Sequence, residues 1–235
     1  MPQKITIIPG VGEVVLAKRK GTRHIRLSVS AAGKVRVGLP SWLPYAAGVE
    51  FARSRQEWII RHLSDHKPHL LVNGGRIGKS YRLKYTHNPQ AARTITRVAG
   101  QTINISSAQQ LDDEKVQHAA RRASERAIKK EAEKLLPDRL RRLSAEYSLN
   151  YSSVRVKRLA SRWGSCSSNK VITLNFFLMQ LPWSLIDYVL LHELMHTRHL
   201  NHSRSFWEDF ERVYPGAKTT RGLLKKYRPV INTIN

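Results

Sequence analysis

Apolar and polar residues alternate through much of the first hundred positions. Ile25, Leu27 and Val29 interleave with Arg26 and Ser28, and Val35, Val37 and Leu39 with Arg36 and Gly38. A period of two predicts a pair of half-buried strands, with Ala32-Gly33 turning the hairpin between them. The alternation returns at Tyr81, Leu83 and Tyr85, beyond the turn signal Asn73-Gly74-Gly75, and again at Ile103 and Ile105. Between these strands, Tyr45 to Leu63 follows Pro44 and suits a helix.

The texture changes after residue 106. Ser107 to Asp113 reads as a connection into a helix running from about Asp113 towards Tyr147, its first turn acidic as the macrodipole prefers. Pro137 is expected to kink or divide it, and its many Lys, Arg and Glu mark an exposed face. Val154 and Val156 then alternate with Arg155 and Lys157, and Val171 to Leu178 is rich in β-branched and aromatic residues, so two strands flank a loop from Ser161 to Asn169. Pro182 opens a helix whose Leu185, Ile186, Val189, Leu190 and Leu194 cover much of its circumference, which predicts burial to an end near Leu200-Asn201. A last helix, from about Ser203 to Val213, stops at Tyr214-Pro215-Gly216. The reading is α+β in two domains: a basic, β-rich domain with one helix over 1–106, and a second domain over 107–235. No internal repeat is visible in the sequence.

Composition narrows the class. Forty-one per cent of the 235 residues are hydrophobic, enough to bury a core. The N-terminus lacks the apolar stretch of a signal peptide and no run is long enough to span a bilayer, so a soluble, cytoplasmic protein without a membrane partner is expected. Cys166 is the single cysteine, which excludes an internal disulfide and leaves His and carboxylates to hold any metal. Forty-one Lys and Arg against 17 Asp and Glu give a formal charge of +24. No acid lies between Glu13 and Glu50, between Asp65 and Asp112, or between Glu146 and Asp187. DNA or RNA bound through a basic surface is one expectation from this charge, and a generally soluble basic protein is the other.

The predicted apolar helix carries His192-Glu193-Leu194-Met195-His196. Residues four apart share a helix face, so two imidazoles can meet one ion, with Glu193 beside them where a general base belongs. The pattern alone arises by chance about twice in a hundred sequences of this composition, but two His and a Glu on an apolar helix need partners, and a metal supplies one. His199, His202, Glu208 and Glu211 are the candidates for a third ligand. His199 would sit about 10 Å along the axis from His192. His202 follows Asn201, a residue that tolerates a left-handed turn and so can swing the chain back; His202 is the choice on geometry, with Glu208 or Glu211 in reserve. Three sulfur-free ligands and an open fourth position favour a single catalytic zinc ion. The expected reaction is hydrolysis of a peptide bond in a protein or peptide substrate by a zinc-bound water activated by Glu193.

The segments Ser161-Arg162-Trp163-Gly164-Ser165-Cys166-Ser167, Ile172-Thr173-Leu174-Asn175, His192 to His196, Asn201-His202-Ser203 and Phe206-Trp207 together resemble the YgjP-like metallopeptidase family, related to the WLM and SprT-like peptidases. The likeness spans roughly residues 125 to 215. It implies a minimal zincin-like core, zinc ligands at His192, His196 and His202, and a catalytic Glu193. By analogy with relatives that cleave proteins crosslinked to DNA, nucleic-acid-associated proteins are candidate substrates. Trp163, Cys166 and Asn175 match the family motif; packing under the sheet is expected of Trp163 and simple burial of Cys166. The strand from Val171 is a candidate to pair with an extended substrate, and Tyr214 a candidate transition-state donor. The competing reading is a nucleic-acid-binding module with a structural or vestigial zinc site.

Overall fold

The computed structural model describes residues 3–30, 33–64 and 70–233. The chain forms two compact units, Met1–Pro68 and His69–Asn235. The architecture is α+β, with the strands concentrated first.

In the first unit, β1 (Gln3–Ile8), β2 (Gly12–Arg19), β3 (Arg26–Val29) and β4 (Val35–Pro40) form a sheet in the order β1-β2-β4-β3. The expected hairpin is β3 with β4, antiparallel, with Val29 opposite Val35; Ala32 of its turn lies outside the described residues. Val35, Val37 and Leu39 point into a core shared with Val14, Leu16, Ala52 and Ile59. The single helix expected from Tyr45 to Leu63 is instead two, α1 (Tyr45–Ser54) and α2 (Gln56–Ser64). They break at Arg55, whose N–H caps α1 by bonding the carbonyls of Ala52 and Arg53.

The second unit opens with β5 (Arg76–Ile77), β6 (Tyr81–His87), β7 (Ile95–Ala99) and β8 (Thr102–Ser107), in the order β5-β6-β8-β7. In both four-stranded sheets an antiparallel pair, a parallel pair and a second antiparallel pair follow in that order. This repeat of topology has no visible counterpart in the sequence. The division expected near residue 106 falls inside this unit, because β6, β7 and β8 pack on the helix that follows them.

That helix, α3 (Glu114–Glu146), is capped by the Asp113 carboxylate, which accepts from the N–H groups of Lys115 and Val116. Among its charges runs a buried stripe of Val116, Ala120, Ala123, Ala127, Ile128, Leu136 and Leu140. Pro137 does not divide it: Leu136 and Leu140, on either side, are buried in one core and hold both halves in line. Next come β9 (Ser153–Lys157), β10 (Gly164–Cys166) and β11 (Val171–Asn175), ordered β10-β11-β9. β10 arises inside the stretch expected to be a loop, and the strand from Val171 ends at Asn175, where a 3-10 turn from Phe176 to Gln180 begins.

Three helices complete the unit: α4 (Trp183–Met195), α5 (Arg204–Val213) and α6 (Ala217–Leu224). Arg139 of α3 grips Asp187 of α4 through two bonds, Nε to Oδ1 at 2.8 Å and Nη2 to Oδ2 at 2.6 Å. Among the described residues no helix is long and apolar enough to cross a membrane.

Candidate metal centre

α4 is apolar because it is buried on most sides, with Leu185, Ile186, Leu190, Leu191 and Leu194 in the core. Its last turn carries His192, and His196, the C-cap residue in right-handed helical conformation, continues the same face. The helix ends at Met195, earlier than expected, and the chain then turns through residues 196–203 to α5. Asn201 does not adopt the expected left-handed conformation, since Ser148 and Lys170 are the non-glycine residues with positive φ among those described. Side chains shape the turn instead: Asn201 Oδ1 accepts from the Ser203 N–H at 3.1 Å, and Ser203 Oγ accepts from the Phe206 N–H at 3.4 Å.

The turn brings His202 back over α4. One ring nitrogen from each of His192, His196 and His202 falls within a cluster 4.8 Å across, and the Nε2 atoms of His192 and His202 lie 2.9 Å apart. His196 Nδ1 is 2.9 Å from the His199 carbonyl oxygen, so a donated Nδ1–H leaves Nε2 as the lone-pair nitrogen. The rings of His192 and His202 stack at 4.9 Å, and Phe206, Trp207 and Phe210 of α5 pack around them.

The other candidates are engaged elsewhere. His199 Nε2 meets Asp209 Oδ2 at 2.7 Å, Glu208 accepts from Arg204 at 2.6 Å, and Glu211 accepts from the Gly216 N–H at 2.6 Å.

Burial sets the electrostatics. It pushes His192 down to about 3, helped by the neighbouring His196, His202 and Arg221, so its imidazole is neutral at ordinary pH. Burial likewise lowers His202, again aided by His196 and Arg221. Glu193, 6% exposed, is pushed up to about 8 by desolvation, against a smaller opposing pull from Arg162. The Cys166 thiol is raised by burial and then by Glu193, which keeps it protonated and unreactive.

His192, Glu193 and His202 line an open cleft of about 640 Å³ together with Trp163, Trp207 and Arg221. Trp163 both faces this cleft and packs on the core. Tyr214, the candidate transition-state donor, donates its hydroxyl to the Ser184 carbonyl at 3.2 Å and is absent from the cleft lining. β11 cannot pair with a substrate, because β9 and β10 occupy both its edges and are the edge strands of that sheet.

Two contributors had no role in the sequence reading. A Cβ on Gly164 would lie 2.7 Å from Glu193 Cγ and 2.8 Å from its Oε1, so the bare glycine backbone is what lets β10 lie against this carboxylate. Gly164→Ala should displace the Glu193 side chain, lowering turnover while bound metal stays at the wild-type level; unchanged peptide hydrolysis in that variant would refute the contact's importance. Arg162 and Arg221 are the second omission, both lining the cleft. The motif segment holding Arg162 and Gly164 on either side of Trp163 was the visible cue; Arg221 had none.

Asn175, 0% exposed, explains how this wall is held. Its Nδ2 donates to the carbonyls of Leu159 at 2.8 Å and Arg162 at 2.9 Å, while Oδ1 accepts from the Phe177 N–H at 3.2 Å. The side chain fastens the 159–163 loop to the end of β11. Asn175→Asp puts a carboxylate against two carbonyl oxygens and should cost about 2–4 kcal/mol, read as a lower thermal midpoint and weakened activity.

A His-Glu-x-x-His helix, with a third imidazole converging on the same point and an open cleft above, defines a metal-dependent peptidase. The chain belongs to the YgjP-like family: residues 23–227 match its metallopeptidase domain. It is also similar to the metallopeptidase zymogen abylysin of Pyrococcus abyssi, at 28% identity, covering 43% of this chain and 100% of that one, with a TM-score of 0.36. The corresponding figures for the metallopeptidase zymogen jannalysin of Methanocaldococcus jannaschii are 23%, 39%, 93% and 0.34. No curated protein matches.

Proposed function

We propose that His192, His196 and His202 hold one zinc ion and that Glu193 moves the proton in hydrolysis of peptide bonds. The observation that carries this reading is the convergence of three imidazole nitrogens within 4.8 Å. The donor set fits the ion. It contains no sulfur, His192 is neutral, and the His196 tautomer leaves a lone pair free, which suits a three-ligand zinc site. Among the described residues His192 Nδ1 has no hydrogen-bond partner, and it is Nε2, 2.9 Å from His202 Nε2, that faces the other imidazoles.

Zinc bound there supplies Lewis-acid polarisation of the scissile carbonyl and makes water a better nucleophile. The chain's own residues do the rest. The Glu193 carboxylate, kept beside the cleft by Gly164, takes a proton from the attacking water and delivers it to the departing amine nitrogen. A cation nearby favours ionised Glu193, offsetting the desolvation that holds it protonated. Arg162 and Arg221 keep the cleft positive. Net charge of +24 supports protein substrates associated with nucleic acid, and the lone Cys166 agrees with work in the reducing cytoplasm.

The test is terminal sequencing of a mixed protein pool incubated with zinc-loaded protein, with and without DNA. New termini that vanish on chelation are expected, enriched among nucleic-acid-binding proteins when DNA is present. A pool unchanged under both conditions would leave the binding-module reading in possession.

A further inference from the structure

We propose that the outer face of the first sheet holds a phosphate group, in a pocket of about 190 Å³ lined by Arg19, His24, Arg26, Ser28, Arg36 and Gly38. Strand register builds it. Val35, Val37 and Leu39 occupy the core face of β4, so Arg36 and Gly38 emerge on the other. Their registered partners share that face: Ser28 lies opposite Arg36, Arg26 opposite Gly38, and on the far side Ala17 pairs with Gly38 and Arg19 with Pro40. Three arginines therefore surround a position with no side chain. A Cβ on Gly38 would come no nearer than 3.8 Å to any neighbour, the Arg26 carbonyl oxygen, so the space is open rather than required by backbone packing.

The pocket is unbalanced in charge. Among the described residues no carboxylate lines it, and the sequence runs from Glu13 to Glu50 without an acid. Among the described residues Arg36 Nε, which is buried, has no hydrogen-bond partner, a charged donor that lacks an acceptor. Guanidinium forks match the paired oxygens of phosphate, and three of them with the His24 imidazole suit a tetrahedral anion better than a single carboxylate; the Ser28 hydroxyl already donates to the Arg36 carbonyl at 3.3 Å. Trp42, 73% exposed, follows two residues after Pro40, the partner of Arg19. An exposed aromatic close in sequence to an arginine cluster is the combination that tracks a single-stranded nucleic acid, bases stacking while the backbone is held. A free phosphate ion carries the same chemistry. The pocket deepens the nucleic-acid part of the reading above and uses none of its peptidase chemistry.

The experiment is fluorescence anisotropy of a labelled single-stranded oligonucleotide with the full chain across a salt series, with inorganic phosphate and polyglutamate as competitors. Circular dichroism checks that each variant is folded. Arg36→Ala should weaken binding about tenfold and reduce the log–log salt slope by about 0.7, one phosphate contact on a single strand. Gly38→Leu fills the pocket at unchanged charge and should weaken binding similarly, whereas Lys84→Ala, on the second sheet, should not. Oligonucleotide affinity far above that for inorganic phosphate assigns the ligand to a nucleic-acid backbone. Comparable affinities, both lost in the two pocket variants, assign it to free phosphate. Wild-type binding by Arg36→Ala and Gly38→Leu, an equal loss in Lys84→Ala, or stronger competition from polyglutamate overturns the site. Because cleavage is not measured, such a failure leaves the peptidase reading standing.

Discussion

Glu193→Gln protein is expected to bind zinc like the wild type and to hydrolyse peptides about 10²–10⁴-fold more slowly, the range general acid–base catalysis contributes. Glutamine has the shape of glutamate and can keep the close approach to Gly164, so the cleft wall should stay where it is. What it lacks is the ability to accept and return a proton. Zinc content by elemental analysis and turnover on a peptide cleaved by the wild type separate the two effects. The mechanism fails if zinc-loaded Glu193→Gln retains full turnover.

The same substitution has a consequence for the metal-free protein. Burial raises Glu193 from 4.5 to about 8, so between those values the unfolded chain has released a proton that the folded chain keeps. The folded state then binds more protons, and stability falls as pH rises across that window. Removing the carboxyl group removes this slope. The depressed His192 works the other way below its ordinary 6.5, raising the midpoints of both proteins as pH rises, so the carboxyl shows in the difference: relative to chelated Glu193→Gln, chelated wild type should lose thermal midpoint progressively from pH 4.5 to 8.

Local periodicity made much of this molecule legible. The β3–β4 hairpin and the helix bearing His192 and His196 follow from the spacing of apolar residues within single elements. What depended on distant partners did not show. The first half of the α3 stripe is built on small residues, Ala120, Ala123 and Ala127, set among Lys, Arg and Glu, so its burial is invisible until β7, β8 and α4 are packed against the helix. That packing also carries β5 to β8 into the second unit and moves the division from residue 106 to residue 68. Three residues of β10, Gly-Ser-Cys, are too few and too weakly apolar to signal a strand, yet they supply the backbone against Glu193. Arg221 reaches the cleft from a separate helix, a position that no short motif links to His192.

His202→Ala is expected to lose zinc, with an affinity drop greater than the 10–100-fold typical when a partner of a ligand is removed. The loss should not come through unfolding. His202 is exposed on the turn before α5, and the buried anchors of that helix, Phe206 and Phe210, are untouched. His199→Ala makes the sharper comparison, since the two residues are three apart and both were candidates. The His199 ring bonds Asp209, while it is the backbone carbonyl of His199 that orients His196. An alanine there keeps the carbonyl, so zinc affinity should stay near the wild-type value. Glu208→Gln and Glu211→Gln should behave likewise, because those carboxylates serve Arg204 and the Gly216 N–H. Chelator competition at neutral pH across the four variants reads the difference directly. Tight stoichiometric zinc in His202→Ala, with loss in Glu208→Gln or Glu211→Gln, would transfer the third ligand to a carboxylate and require α5 to turn that face towards His192.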